Sequence, residues 1–302
     1  MNREKRAALP AAILVTLLWA GSYIVNKIAF AEGIAPLTLS GLRYTLGGLL
    51  LAVVLRGKRE GKPLPWKNTI WQGILCYVIG QGLQCVGQSF LTPTLSSLVL
   101  NASMTIFVLL TDVFLSRELP ARRATFWVLL MIASMILYRR PWAENAGEIS
   151  ATGVAIMGIA GFGAAMNLCI PRYMLAKRGI DHTSLTLRPM LCGGVMMLII
   201  GCIQDGLPHF SGRLAFCVLY LSGVSGALGF GLWVWTQKYL TATQSGAINN
   251  ATMIEIAVLD MLLFHNRPLA VQWIGLAVMF LSITALQLIK RPDELSAKTP
   301  RS

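Results

Sequence analysis

The chain has 302 residues, of which 55% are hydrophobic and only 13% are charged. Soluble domains carry about 25% charged residues, so this composition excludes an ordinary soluble protein. The net charge of +13 raises nucleic-acid binding as an alternative, which depends on where the basic residues lie.

Ten apolar stretches of membrane-spanning length follow one another along the chain. Each has about the 20 residues that a helix needs to cross about 30 Å of hydrocarbon. The segments between them are short and leave no room for a soluble domain. We therefore predict an all-α polytopic membrane protein with ten transmembrane helices at 8–30, 36–56, 69–91, 93–115, 122–140, 151–174, 183–204, 211–238, 242–264 and 270–290.

The basic residues are distributed unequally between the two sides of this ten-helix topology. Loops on the side of the N-terminus carry 19 Lys and Arg residues, and loops on the opposite side carry five. Basic loops stay in the cytoplasm, which predicts two cytoplasmic termini in a multi-pass protein of the cell (inner) membrane and no nucleic-acid partner. A cleaved signal peptide ending at Ala29-Phe30-Ala31 is the alternative for the first stretch, but cleavage would leave nine helices.

The chain also contains an internal duplication. The windows Gly80–Met104 and Gly229–Met253 are identical at eleven of 25 positions. Each half holds five predicted helices, an odd number, so the second half enters the membrane from the opposite side. This predicts two inverted five-helix repeats, residues 1–146 and 147–302, of the kind found in secondary transporters that work by alternating access.

Polar residues within the predicted helices of the first half fall on shared helix faces. Such residues usually face the bundle interior or a watery cavity, although hydrogen bonding between helices is the alternative role. The candidates for substrate binding are Trp19, Tyr23 and the aligned Asn26 on the first helix, Tyr77, Gln81, Gln84 and Gln88 on the third, and Asn101 on the fourth.

In the second half, aromatic residues replace some of these amides. Phe230 and Trp233 stand where the first half has Gln81 and Gln84, whereas Gln237 repeats the glutamine of the first half. We predict that all three bind substrate, with an amide and phenol wall facing an aromatic wall. Such an asymmetric lining suits an asymmetric substrate.

Charged residues inside the helices complete the candidate site. Glu255 lies deep in the ninth helix, where it could bind a substrate ammonium, carry a coupled proton, or pair with Arg188 or Lys27. Asn250, another substrate-binding candidate, points in a different direction around the same helix. Arg43 and Arg188 form a candidate pair of gate residues, and snorkelling of their side chains to the interface is the alternative.

Three segments carry a resemblance to a known family: LLWAGSYIVNKIAF, LTLSGLRYTLGGLLLA and LTPTLSSLVLNASMTIFVLLTDVFLSREL. Together they resemble ten-helix EamA-type proteins of the drug/metabolite transporter superfamily. The prolines common midway along that family's fourth and ninth helices are absent near Ser103 and Thr252. In the second repeat, Arg267 stands where the first has Glu118. The resemblance implies a carrier of small metabolites, often an exporter of amino acids or related compounds.

The predicted function is a secondary transporter, in the export direction, for a small metabolite such as an amino acid or an amine. Its expected partners are the substrate, the lipid bilayer and coupled protons, with no cofactor, no metal and no catalytic residues. A non-transporting receptor or scaffold is the alternative. A membrane-embedded enzyme is a further one, but it would need a nucleophile–base pair or a metal cluster. The oligomeric state stays open.

Overall fold

The fold is taken from a computed structural model of the chain. It describes residues 3–54, 62–116, 122–140, 150–178, 180, 182–206, 208–209, 211–236, 239–240, 242–265 and 268–288. Within these ranges the backbone is almost entirely helical, and the β-type pairing is limited to one isolated bridge between Lys62 and Ile180. This is the all-α class that the apolar stretches predict.

Within the described ranges, the helices fall in the ten predicted stretches. We number them α1 to α10, and the largest disagreement at an end is five residues, at the start of α1 (predicted 8, observed 3). Eight are continuous α-helices: α1 Arg3–Ala31, α2 Pro36–Val54, α4 Pro93–Ser116, α5 Arg122–Arg139, α6 Ala151–Arg178, α7 His182–Asp205, α9 Ala242–Phe264 and α10 Ala270–Leu288.

The other two helices, α3 and α8, each contain a π-helical segment. In α3, the segment Gly73–Gly82 lies between Trp66–Gln72 and Leu83–Phe90. In α8, the segment Tyr220–Leu228 lies between Gly212–Leu219 and Gly229–Thr236. The two segments overlap when the repeat offset of 149 residues is applied. Such wide turns are frequent at functional sites, because they redirect the side chains that follow them.

Several of the helices can cross a bilayer by length and composition. Six described stretches of at least 18 residues meet this condition: Ala7–Ala31, Pro36–Val54, Pro93–Thr111, Ala151–Pro171, Thr183–Asp205 and Gly212–Trp233. Helices satisfy their own backbone hydrogen bonds, so they can lie in hydrocarbon without water. The chain is therefore a multi-pass membrane protein.

Helix packing connects the two halves of the chain extensively. The main contacts across the halves are α2 with α7, α5 with α10, α4 with α6, α1 with α9, α3 with α6, α1 with α8, α2 with α8, and α3 with α7. Each half is thus packed mostly against the other half rather than folded separately.

Glycines allow the closest of these contacts. A Cβ added at Gly41 would lie 2.4 Å from the Leu198 backbone nitrogen, and one at Gly163 would lie 2.4 Å from the Gly80 nitrogen. Along the α2–α7 contact, Thr38 meets Gly201, Gly41 meets Leu198, Thr45 meets Gly194 and Gly48 meets Leu191. Residue numbers rise along α2 as they fall along α7, so the two helices are antiparallel. Small residues at such contacts are typical of membrane bundles.

The α2–α7 contact predicts a stability difference between two glycine-to-alanine variants. Gly41→Ala places a methyl group against the Leu198 backbone and should cost about 1–3 kcal/mol through overpacking. Gly158→Ala is the matched control, because a Cβ there meets nothing within 4 Å and alanine favours a helix. Thermal denaturation of the purified proteins in detergent should show a lower midpoint for Gly41→Ala alone. Equal midpoints would contradict the close approach.

Candidate functional site

A narrow polar cavity lies between α1, α2 and α3. Its volume is about 10 Å³ as traced by the centre of a water-sized sphere, which is room for about one water molecule. The lining combines one cationic side chain with hydroxyl, amide and thiol groups. These residues are Asn26, Ser40, Arg43, Tyr44, Gln81, Gln84, Cys85 and Gln88. Five of these lining residues are named by the sequence analysis, namely Asn26, Arg43, Gln81, Gln84 and Gln88.

Hydrogen bonds between side chains connect the three helices around this cavity. Asn26 Nδ2 donates to Gln88 Oε1 at 2.6 Å, Gln84 Nε2 donates to the Tyr23 hydroxyl at 3.1 Å, and the Tyr44 hydroxyl donates to Gln81 Oε1 at 2.5 Å. The three glutamines of α3, Gln81, Gln84 and Gln88, are therefore held in place by partners on α1 and α2. These bonds fix the direction in which the remaining donors and acceptors point.

Arg43 supplies the positive charge of the cavity. Its Nη2 donates to the Ser225 hydroxyl of α8 at 3.1 Å, and its guanidinium lies 5.3 Å from the centre of the Tyr44 ring. Arg43 Nε is buried and has no hydrogen-bond partner among the described residues. Arg43 lies seven residues after the start of α2, about 10 Å along the helix at 1.5 Å per residue.

An aromatic cluster on α1 and α8 adjoins the same serine. The Trp19 ring centre lies 5.5 Å from that of Phe230 and 5.1 Å from that of Trp233. Trp19 Nε1 donates to the Ser225 carbonyl oxygen at 3.2 Å. Ser225 therefore connects the aromatic cluster to Arg43, and the π-helical segment of α8 carries this serine.

Glu255 lies on α9 and faces α1 away from the cavity. One carboxylate oxygen, Oε1, accepts a hydrogen bond from the Thr16 hydroxyl at 3.0 Å. The other, Oε2, is buried without a partner among the described residues. Thr16 precedes Asn26 by ten residues, about 15 Å along α1, so Glu255 contacts α1 at a different level from the one where Asn26 lines the cavity.

Other predicted site residues lie outside the cavity. The Tyr77 ring packs edge-on against Tyr44 at 5.4 Å, next to the lining. Asn101 donates to the Ser97 carbonyl oxygen of its own helix at 2.8 Å. Asn250 is buried, and its Nδ2 lies 3.4 Å from the Thr284 hydroxyl of α10.

The two predicted gate arginines have unlike surroundings. Arg188 donates to the Leu64 carbonyl oxygen and lies 5.5 Å from the centre of the Trp66 ring, near the start of α3. Arg43 instead lines the cavity. Gln237, the remaining substrate-binding candidate, lies outside the described residues.

Four lining or supporting residues are not among the predicted site residues: Ser40, Tyr44, Cys85 and Ser225. Tyr44 carries a usable signal, because it follows Arg43 directly and belongs to the L-R-Y motif of the resemblance. Ser40, Cys85 and Ser225 carry none, since small polar residues are ordinary components of membrane-helix contacts.

A polar contact joins two connecting segments at one end of the bundle. Ser211 Oγ donates to Glu32 Oε2 at 2.6 Å, and Arg213 forms an ion pair with the same carboxylate at 3.4 Å. The Ser211 hydrogen bond and then the Arg213 charge lower the pKa of the Glu32 carboxyl below its ordinary value.

At the other end of the bundle, the Leu64 backbone nitrogen donates to the Ser184 hydroxyl at 3.0 Å.

The chain is similar to curated transporters along most of its length. It is 22% identical over 294 residues to "Uncharacterized transporter YvbV" of Bacillus subtilis (strain 168), covering 95% of this chain and 92% of that one. It is 25% identical over 252 residues to an "Uncharacterized transporter" of Archaeoglobus fulgidus, covering 81% of each.

A solved structure has a similar fold. The crystal structure of a protein matches with a TM-score of 0.63 at 14% sequence identity, covering 97% of this chain and 99% of that chain. At this identity the likeness shows the fold alone.

The family comparison covers nearly the whole chain. The sequence profile of the "EamA-like transporter family" matches twice, at residues 6–140 and 151–287. The chain therefore belongs to the EamA-like transporter family of the drug/metabolite transporter superfamily.

Proposed function

We propose that this chain is a secondary transporter that exports a small metabolite, such as an amino acid or an amine, by alternating access. Ten helices span the inner membrane in two inverted five-helix repeats, residues 1–146 and 147–302, with both termini in the cytoplasm. The observation that carries the proposal is a polar, charged cavity in the interior of a bundle whose halves are related to each other.

The helix contacts support an inverted relation between the halves. The repeat makes α1 equivalent to α6, α2 to α7, α3 to α8, α4 to α9 and α5 to α10. Under this equivalence the α4–α6 contact corresponds to α9–α1, α3–α6 to α8–α1, and α2–α8 to α7–α3. All of these contacts are present. The α2–α7 and α5–α10 contacts each join two equivalent helices, so the same equivalence leaves them unchanged. Because α2 and α7 are equivalent helices and run antiparallel, a two-fold axis relating them lies across the helix direction.

The cavity supports a substrate site at the contact between the halves. Its walls come from α1, α2 and α3 of the first half, and Ser225 of the second half binds its arginine. Movement of one half against the other would therefore change the surroundings of Arg43 directly. Export is the direction that the family resemblance implies.

Flux through reconstituted vesicles tests this proposal. In counterflow experiments with proteoliposomes, a panel of labelled amino acids and amines should include at least one compound that is taken up saturably. Vesicles without protein and vesicles with boiled protein are the controls. Binding of a panel compound without flux would contradict the transporter proposal and would favour a receptor.

We propose further that Glu255 carries the coupled proton. An ionised carboxylate inside hydrocarbon is costly without partners, and only one of its two oxygens has a partner among the described residues. The acid packs against α1, which also lines the cavity through Asn26. Opening of the cavity and access of Glu255 to water can therefore be linked through movement of a single helix.

Glu255→Gln separates coupling from transport. Glutamine keeps the size and the acceptor for Thr16 but cannot release a proton. We expect counterflow to persist within about threefold, whereas accumulation driven by a pH gradient should fall to the level without a gradient. Glu32→Gln, the same replacement at the end of the bundle, is the matched control. Accumulation that stays equally dependent on the gradient in Glu255→Gln would contradict this role.

A further inference from the structure

We infer that Ser184 and Arg188 of α7 form a clamp on the backbone of Leu64, and that this clamp holds one end of the bundle closed until it is released. We call the end where α3 and α7 begin the inner end, and the end where α2 and α8 begin the outer end. The inference rests on the proposed transport function, in which the two ends open in turn. It makes Arg188 a gate residue of the inner end alone.

The segment that enters α3 cannot satisfy its own backbone hydrogen bonds. Leu64 stands between Pro63 and Pro65, and a residue that precedes a proline is disfavoured in the helical conformation. Prolines lack an N–H group, so Leu64 carries the one backbone donor of these three residues. Leu64 is fully buried, so its N–H and carbonyl groups need partners from elsewhere in the fold.

Two side chains of α7 supply both partners. The Leu64 backbone nitrogen donates to the Ser184 hydroxyl at 3.0 Å, and the Arg188 guanidinium donates to the Leu64 carbonyl oxygen. Ser184 and Arg188 are four residues apart, which places them on the same face of α7. The same guanidinium lies 5.5 Å from the centre of the Trp66 ring, at the first residue of α3. The second half of the chain thus holds the entry to a helix of the first half.

An apolar contact lies beside the clamp. Leu64 packs in one cluster with Ile180 and Leu185, which we call the inner plug. Ile180 belongs to the connection between α6 and α7, and its backbone forms an isolated parallel β-bridge with Lys62. The entries to α3 and α7 are therefore joined by backbone pairing, apolar packing and the clamp together. The two helices cannot separate at the inner end while these contacts persist.

The outer end is closed by an equivalent apolar contact. Ile34 and Leu39 pack in one cluster with Leu214, near the start of α8, and we call these three residues the outer plug. At a repeat offset of 146 residues, Ile34 corresponds to Ile180 and Leu39 corresponds to Leu185. Each plug thus joins the connection before the second or seventh helix to the entry of the helix that is equivalent in the other half.

The clamp distinguishes the inner end from the outer end. The repeat counterpart of Arg188 is Leu42, whose side chain packs against the cluster of the outer plug. A leucine side chain has no hydrogen-bond donor, so it cannot form the same clamp. Arg43, the next residue, lines the polar cavity instead. Loss of the Arg188 hydrogen bond should therefore loosen the inner end without loosening the outer end.

Two native cysteines report on the two ends. Cys76 is buried in a cluster with Met190 and Met197 of α7, so separation of α3 and α7 exposes it. Cys217 is buried in the cluster of the outer plug. The whole protein, keeping one of these as its only cysteine, is placed in sealed vesicles, and a small membrane-impermeant methanethiosulfonate is added to either side. The rate of labelling measures how often each end opens.

Variants of the clamp give graded expectations for labelling of Cys76 from the inner end. Arg188→Gln should raise the rate at least about tenfold, as expected for a lost charged hydrogen bond. Ser184→Ala removes a neutral hydrogen bond and should raise the rate by about two- to tenfold. Arg188→Lys keeps a charged donor for the single carbonyl acceptor and should label more slowly than Arg188→Gln.

Two controls separate the clamp from general effects. Lys67→Gln removes a positive charge from an exposed position near the start of α3, and it should leave the labelling of Cys76 unchanged. Labelling of Cys217 from the outer end should stay unchanged in every variant, because the outer plug has no part in the clamp. A variant that merely loosens the bundle would label both cysteines faster.

Two outcomes would overturn the inference. One is that Arg188→Gln leaves the labelling of Cys76 unchanged. The other is that it raises the labelling of Cys76 and Cys217 to the same extent. If a panel compound shows flux in either case, the transporter proposal stands and only the clamp fails. If Cys76 alone is labelled faster but a panel compound binds without flux, the clamp stands and the transporter proposal fails.

Discussion

The exclusion of water from the bilayer interior constrains every polar side chain in this bundle. Amides, phenols and an arginine are tolerated on α1, α2 and α3 because they face one another, as the Asn26–Gln88 and Tyr44–Gln81 hydrogen bonds do. Such bonds add only about 0.6 kcal/mol each in membranes, so they orient side chains more than they stabilise the fold. The polar atoms that this network leaves unpaired, Asn26 Oδ1 and Arg43 Nε, are the ones that remain able to bind another molecule.

Close packing of glycines sets where the two halves meet. The α2–α7 contact brings backbones together at Gly41 and Gly194, and the Gly80–Gly163 contact does the same for α3 and α6. Contacts of this kind interlock few long side chains, which would suit the movement of one half against the other that we propose. The π-helical segments at equivalent places in α3 and α8 alter the direction of side chains next to these contacts. One of them carries Ser225, the link between the halves at the cavity.

The sequence predicts the helices well, because hydrophobic length is read directly from composition in a membrane protein. It also predicts the amide face of α3, because the spacing of Gln81, Gln84 and Gln88 places them on one side of a helix. It cannot say which neighbours those faces meet. Asn250 and Gln88 are both polar residues in apolar helices, yet one faces α10 and the other the cavity. The π-helical segments and the role of Ser225 depend on packing between distant helices, which no local pattern encodes.

Access of solvent to Cys85 tests most directly the claim that the Arg43 cavity is an alternately exposed substrate site. Cys85 is buried in the cavity lining, and a protein retaining it as the one cysteine of the six would report on that place alone. Membrane-impermeant maleimide is added to either side of sealed vesicles, with and without a transported compound. Alternating access predicts labelling from both sides, slowed by the compound. Labelling from one side only, unaffected by the compound, would contradict it.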